Sequence, residues 1–176
     1  TITGTQGNST GGTSHGVEVF NGGLITSGTG AISITGITPY AASPGYGISL
    51  TTAGTGGKIT STGNAAVTLT ADTWTSDSAT ATINTGTGTL TFQNYTAGIK
   101  IDVGTGTEVR TPGSETLGIS SVQLASRITA GSVVIGRTGA NAARLLTVTD
   151  NLSPSTSNLS LLSGGDVVVA ANKSIT

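Results

Sequence analysis

The chain has 176 residues, and Gly (28), Thr (35) and Ser (20) supply nearly half of them, whereas only 9% are charged and 3% aromatic. A formal net charge of −1 gives no general attraction to nucleic acid or anionic membranes, and the absence of cysteine excludes disulfides and thiolate chemistry. Hydrophobic residues still make up 35%, too much for a disordered polar tract. Because Thr, Val and Ile favour strands while Gly and Asn favour turns, the composition predicts an all-β chain.

The N-terminal part of the chain contains a unit of three short strands that occurs twice. Residues 1–15 are rich in Gly, Thr and Ser, and we interpret them as irregular or as the end of a preceding unit. Residues 16–34 and 45–69 each carry three strand signals separated by small or turn-forming residues. The signals are Val17/Val19, Leu24/Ile25 and Ile32/Ile34, then Ile48/Leu50, Lys58/Ile59 and Val67/Leu69. A unit that recurs while its turns vary in length is typical of repeat architectures.

Two segments interrupt this pattern and are predicted to be protruding loops. Residues 37–44, ITPYAASP, contain two prolines, which cannot donate hydrogen bonds to a sheet. Residues 72–78, DTWTSDS, carry the only tryptophan of the chain. If the repeating unit is a scaffold, these loops are the places where side chains can meet a partner.

Strand signals continue after residue 80 but become less regular in the second half. Those at Ala81/Ile83, Leu90/Phe92 and Ile99/Ile101 start at even intervals, and three such strands per turn give repeats of roughly 20–30 residues. Residues 121–128, SVQLASRI, are interpreted as strand and corner. No amphipathic run is long enough to predict a stable helix.

The turn chemistry favours parallel stacking over a hairpin-linked sandwich. Hairpins use Asn-Gly or Asp-Gly turns repeatedly, and Asn21–Gly22 is the only such pair in the sequence. We therefore expect one β-solenoid segment over residues 1–176, regular over 16–110 and more degenerate over 111–176. Since the chain lacks methionine and has similar text at both ends, we expect it to be part of a longer rod.

Three stretches of the sequence carry a family resemblance. They are GLITSGTGAISITG, GKITSTGNAAVTLTA, and SSVQLASRITAGSVVIG with LSLLSGGDVVV. This text resembles the repeats of filamentous-haemagglutinin-like exoproteins, which are two-partner-secreted and autotransporter-like bacterial adhesins, and the likeness covers most of residues 16–176. The resemblance implies a right-handed parallel β-helix and secretion to the bacterial surface. No motif of that family's secretion domain occurs here, so the resemblance alone implies the secretion route.

Acidic residues are spread along the chain, and Asp102, Glu108 and Arg110 are the best candidates for a catalytic groove. Glycan-cleaving β-helices need converging carboxylates, or a calcium cluster with a nearby arginine. Solvated corner residues are the ordinary alternative. His15 is the only histidine and lies among Gly, Ser and Thr, which favours neither a metal site nor a catalytic triad. We predict no enzyme, no metal and no cofactor, with a polysaccharide-degrading enzyme as an alternative.

The side chains best suited to surface recognition lie in the two predicted loops. Tyr40 belongs to the first loop, and Asp72, Trp74 and Asp77 belong to the second. A tryptophan flanked by carboxylates is suited to stacking on a sugar. The alternative is that Trp74 caps the side of the stack.

Alternating threonines give a third interpretation. Thr85, Thr87, Thr89 and Thr91 alternate, which places them on one face of a strand. Stacked strands would then build a flat threonine surface that orders water, as an ice-binding face does. The array is irregular and fades after Thr107, and threonine is also an ordinary residue for a solvent-facing strand.

Together these patterns predict a noncatalytic structural and adhesive rod segment of a large secreted bacterial surface protein. Its expected partners are further copies, joined into fibres through strand edges, and glycans of a host or surface. We expect no nucleic acid partner. We also expect no membrane insertion by this segment, since no apolar run approaches the length that a membrane-spanning helix needs. The expected location is extracellular, at the cell surface.

Overall fold

The computed structural model describes residues 1–7, 13–39, 45–51, 54–76, 79–107, 109, 115–156 and 158–176. Within these residues the regular structure consists of short strands and one short helix, α1, Ser121–Ser126. The strands are β1 Ile2–Thr5, β2 Val17–Phe20, β3 Leu24–Ser27, β4 Ile32–Ile37, β5 Ile48–Thr51, β6 Lys58–Ser61, β7 Val67–Thr70, β8 Trp74–Thr75, β9 Thr82–Asn84, β10 Thr89–Gln93, β11 Lys100–Gly104, β12 Thr116–Ser120, β13 Ile128–Thr129, β14 Ser132–Gly136, β15 Leu145–Val148, β16 Leu159–Leu162 and β17 Asp166–Val169.

The strands divide into four separate sheets, and every strand pairing in the described part of the chain is parallel. Sheet A has the order β1-β4-β7-β10-β14-β16, and sheet B has the order β2-β5-β8. Sheet C has the order β13-β9-β6-β3, and sheet D has the order β12-β11-β15-β17. The described part of the chain is therefore all-β apart from one short helix.

The two units predicted from residues 16–34 and 45–69 lie side by side, strand for strand. β2 pairs with β5, β3 with β6 and β4 with β7. Val17 lies opposite Ile48, and Ile25 lies opposite Ile59. Equivalent residues of the two units therefore stack on one another, as the repeated text predicts.

Sheet A contains the longest apolar column of the core. Ile34, Leu69, Phe92 and Ile135 occupy successive strands at matching register positions, and all four are buried. Full burial of one such side chain is worth about 1.5–3 kcal/mol. Because side chains alternate along a strand, the residues between them point away from the core.

The prediction of one right-handed parallel β-helix with a regular coil length is wrong. The strands form four separate sheets and not one continuous stack. Register partners along sheet A are unevenly spaced in the sequence: Leu69 pairs with Phe92, whereas Phe92 pairs with the much more distant Ile135. The repeat length is therefore not uniform. Sheet B ends at β8, and the strand that contacts it from sheet D, β12, does not pair with it.

The order of the strands reverses at β12, and close backbone contact explains why. β11 lies between β12 and β15, although β12 follows β11 in the chain. The connecting segment folds back along β12, where Thr105 forms an antiparallel bridge with Ser120. A Cβ atom at Gly118 would collide with the carbonyl oxygen of Gly106, which itself has a φ of +70°. Only glycine allows such an approach, so the reversal depends on these two residues.

The interpretation of residues 121–128 as strand and corner is also wrong, because α1 forms there. Ser120 caps the helix: its hydroxyl accepts from the backbone N–H of Gln123 at 3.2 Å. The Gln123 side chain accepts in return from the backbone N–H of Ser120 at 2.8 Å. This capping box satisfies N–H groups that a helix start leaves unpaired, and buried Leu124 anchors the helix to the core.

Sheets A and D end in open edges. β1 and β16 are the edge strands of sheet A, and β17 is an edge of sheet D. Ile2 on β1 is 38% exposed, and Val167, Val168 and Val169 on β17 are 45, 43 and 47% exposed. Val167 lies in register with the buried Leu146, so the apolar column reaches the edge uncovered.

Candidate binding cleft

A cleft of about 340 Å³ lies where sheets B and D meet. It is bordered by β8 of sheet B, by β12 of sheet D and by the first turn of α1. The side chains and backbone that carry its chemistry belong to Tyr46, Trp74, Thr75, Gly118, Ser120 and Gln123, and we call it the aromatic cleft. Gly106 also lines the cleft, and no charged residue from the described part of the chain does.

Trp74 is packed in the core beside the cleft, where sheets B and D meet. Its side chain is 3% exposed and packs against Phe92, with ring centroids 4.7 Å apart and 51° between the ring planes. The indole Nε1–H donates to the carbonyl oxygen of Gly118 at 2.9 Å. This hydrogen bond joins a strand of sheet B to a strand of sheet D, so the indole wall of the cleft is fixed.

Tyr46 forms a second aromatic wall and is held by His15. The backbone N–H of Tyr46 donates to Nδ1 of His15 at 3.0 Å, and the two rings stack with centroids 5.8 Å apart and 13° between their planes. Nε2 of His15 lies 3.7 Å from Oε1 of Glu18. An accepting Nδ1 places the proton of the neutral imidazole on Nε2, toward that carboxylate. His15 therefore positions an aromatic side chain.

The polar lining of the cleft comes from Gln123, Ser120 and Thr75. The side-chain amide of Gln123 donates to Oγ of Ser76 at 3.1 Å, and Arg127 donates to the same oxygen at 3.2 Å. Together with the capping box, this contact fixes both ends of the amide. The Ser120 hydroxyl accepts from Gln123 and keeps its own proton for donation. The Thr75 hydroxyl has no hydrogen bond to any described residue.

The four residues predicted for surface recognition are not brought together in the described part of the chain. Tyr40 and Asp77 lie outside the described residues, and recognition by them stays a prediction. Trp74 lies in the core, as described above. Asp72 is buried, and its Oδ1 accepts from two successive backbone N–H groups, beginning with that of Tyr95, at 2.8 Å each. Asp72 therefore holds the turn that follows β10.

Asp102 also supports a turn, and its two predicted partners, Glu108 and Arg110, lie outside the described residues. Oδ1 of Asp102 accepts from the hydroxyls of Thr149 and Thr105 at 2.9 and 3.0 Å. The same oxygen accepts from a backbone N–H in the segment that folds back along β12. The predicted catalytic set stays untested. Among the residues that the structure describes, no group of three or more His, Cys, Asp or Glu side chains is arranged to hold a metal ion.

Asp150 ties the end of the chain to sheet D. Its Oδ1 accepts from the backbone N–H of Asn151 at 2.8 Å and from Nζ of Lys173 at 3.2 Å. The Asn151 hydrogen bond first, and then the Lys173 hydrogen bond, lower the pKa of Asp150 below its ordinary value. The carboxylate is therefore ionised at neutral pH, where it serves as a structural acceptor.

The predicted threonine array is aligned only in part. Ser33, Thr68 and Thr91 occupy one register position on β4, β7 and β10 and lie between buried residues, so their hydroxyls face outward. The next strand places Val134 at that position. Thr85 lies in the turn before β10, where it is buried and donates to a backbone carbonyl. The result is a short row of hydroxyls on sheet A.

No pattern in the sequence marks Tyr46, Thr75 and Gln123 as residues of one site. They come from three separate segments, and the reversal at β12 places them around one cleft. One signal was readable: Ser120 followed three residues later by Gln123 is a capping-box pattern that predicts a helix start there.

No protein-family model, curated protein or solved structure matches this chain. Membership of the filamentous-haemagglutinin-like family, which the sequence resemblance implies, therefore stays a prediction. No helix in the described part of the chain is long and apolar enough to cross a membrane.

Proposed function

We propose that this chain is a noncatalytic structural and adhesive segment of a large secreted bacterial surface protein. The in-register stacking of its parallel strands carries the proposal, because it ties each short strand to neighbours that are distant along the chain. The carboxylates of Asp72 and Asp102 are engaged in holding turns. The secreted bacterial origin in this proposal rests on the resemblance of the repeated sequence to filamentous-haemagglutinin-like repeats.

Adhesion is tested with the purified chain on a glycan array and on cultured host cells. We expect saturable binding to a restricted set of glycans, and no release of products from those glycans. Uniform absence of binding on both surfaces would contradict the adhesive part and leave a purely structural role. Release of shortened sugar chains would contradict the noncatalytic part.

The proposal includes association of copies through the open edges of sheets A and D, and the register of sheet A shows the geometry. An apolar column begins with Ile2 on β1 and ends with Leu161 on β16, with Ile34 and Ile135 among the residues between them. All strands of the sheet run in one direction, so a second copy added head to tail would place its Ile2 beside Leu161. Such a heterologous contact does not close on itself and builds fibres.

Ice binding is the second candidate, and the outward row of Ser33, Thr68 and Thr91 favours it. In-register hydroxyls on neighbouring strands repeat at about 4.8 Å, which is the kind of flat, regular spacing that orders water. Thermal hysteresis of a concentrated solution tests this candidate. A freezing point equal to the melting point would exclude it.

A further inference from the structure

We propose that the aromatic cleft binds a neutral saccharide. The proposal rests on the adhesive function proposed above and names the ligand class and the place of contact. The cleft joins two walls from different sheets, with Trp74 and Thr75 on the side of sheet B and Ser120 and Gln123 on the side of sheet D. A ligand seated there contacts strands of both sheets, β8 of sheet B and β12 of sheet D.

The chemistry of the lining matches an uncharged polyhydroxyl ligand. Thr75 and Ser120 offer hydroxyls that both donate and accept, and Gln123 adds a side-chain amide. The half-buried Tyr46 adds aromatic surface that suits the apolar C–H face of a sugar ring, and the buried Trp74 lies against the cleft from the core side. Among the described residues of the lining, none offers a charged ligand an opposite charge in exchange for its hydration, which favours an uncharged ligand.

The lining is fixed in place before any ligand arrives. Trp74 is held by Phe92 and by the hydrogen bond to Gly118, and Tyr46 is stacked on His15. The amide of Gln123 is held by the capping box and by Ser76, as described above. A preorganised site loses little conformational entropy on binding, which favours recognition of a weakly binding ligand such as a sugar.

The size of the cleft suits one or two sugar rings. Its volume of about 340 Å³ lies at the lower end of the range of ~300–1,000 Å³ that small-molecule sites occupy. Short oligosaccharides are therefore the appropriate probes, and a long polysaccharide is expected to contact the cleft through one or two of its units.

The test uses the fluorescence of Trp74, which is the only tryptophan and borders the cleft. The full chain is titrated with neutral tetrasaccharides of glucose and of N-acetylglucosamine, and with a uronic acid tetrasaccharide for comparison. We expect a saturable change in emission with at least one neutral tetrasaccharide and none with the acidic one. Thr75→Val removes a hydroxyl at constant shape, and we expect it to weaken binding about threefold to tenfold.

The matched control is Thr91→Val, the same change on the outward face of sheet A, away from the cleft. Far-UV circular dichroism and melting temperature show whether both variants keep the fold. Absence of a saturable signal with every neutral tetrasaccharide, or equal affinities of the two variants, would overturn the cleft as the binding site. Glycan-array adhesion that is equal in the wild type and in Thr75→Val rejects the cleft but keeps the adhesive function. A chain that shows neither adhesion nor a fluorescence change rejects both.

Discussion

Asp72 shows how a single acidic residue supports this fold. Its buried carboxylate accepts two backbone N–H groups at 2.8 Å, and hydrogen bonds to a charged acceptor are each worth about 1.5–3 kcal/mol. We expect Asp72→Ala to lower the free energy of unfolding by about 2–3 kcal/mol, because both N–H groups lose their partner. Asp72→Asn keeps an accepting oxygen and is expected to cost less. Urea unfolding curves measure both effects.

Asp166→Ala is the control for this comparison, since Asp166 is an exposed acid on β17. Surface changes of this kind usually stay within about 0.5 kcal/mol. Equal stability of Asp72→Ala and Asp166→Ala would contradict a structural role for Asp72.

The surroundings of a single side chain were the hardest property to predict from the sequence. The sequence of residues 72–78 predicted a protruding loop whose tryptophan either stacks on a sugar or caps the side of the stack. Trp74 is instead buried against Phe92, which lies on a strand of another sheet. Which side of a strand a lone aromatic faces depends here on a partner from a later strand, and no local pattern encodes that contact.

The helix α1 is the element on which local sequence signals disagreed. Its β-branched and small residues suggested a strand, whereas the capping box of Ser120 and Gln123 favoured a helix start, and the cap prevailed. We expect Ser120→Ala to lower the free energy of unfolding by about 0.5–2 kcal/mol, since the N–H of Gln123 loses its acceptor. Chemical unfolding monitored by circular dichroism measures the loss.

Ser126→Ala is the matched control at the other end of α1, where the serine is exposed and only bonds back to the carbonyl of Val122. That contact contributes little to helix stability, so the control is expected to behave like the wild type. A loss in Ser126→Ala as large as that in Ser120→Ala would show that the cap is not the cause.

Strand positions, in contrast, were readable from the sequence in the first half of the chain. The signals at Val17/Val19 and Ile48/Leu50 correspond to β2 and β5, which pair in register. This success has a physical basis, because alternating apolar residues bounded by turn formers define both the extent and the inward face of a strand. The same pattern cannot show which strand lies next to which.

At the scale of the whole molecule, the arrangement of sheets departs from the uniform stack that the repeats predict. The departure begins where β12 steps back past β11, and it depends on the mutual approach of Gly106 and Gly118. Two glycines in a chain with 28 of them carry no distinguishing signal. The aromatic cleft exists because of that step, so it could not be predicted before the fold was known.

The open edges of the molecule lead to a prediction about assembly. β17 ends sheet D, and Val168 on it is 43% exposed and faces away from the core, opposite Thr147 of β15. We expect the wild-type chain to associate with rising concentration through such edges, as measured by sedimentation velocity. Val168→Lys places a charge on the edge, and lysine on an edge strand blocks pairing with another chain, so we expect this variant to sediment as a monomer over a wider range of concentration.

Val122→Lys is the matched control, because Val122 is 57% exposed on α1 and belongs to no sheet edge. It adds the same charge and removes the same apolar side chain, so a general effect of charge or hydrophobicity would act equally on both variants. Association that survives in Val122→Lys and is lost in Val168→Lys assigns the contact to the edge of sheet D. A wild type that stays monomeric at all concentrations, or equal behaviour of the two variants, would contradict assembly through this edge.

Loss of association at the edge of β17 with unchanged binding of a tetrasaccharide would also separate the two surfaces, since the cleft lies on β8 and β12 and does not include β17.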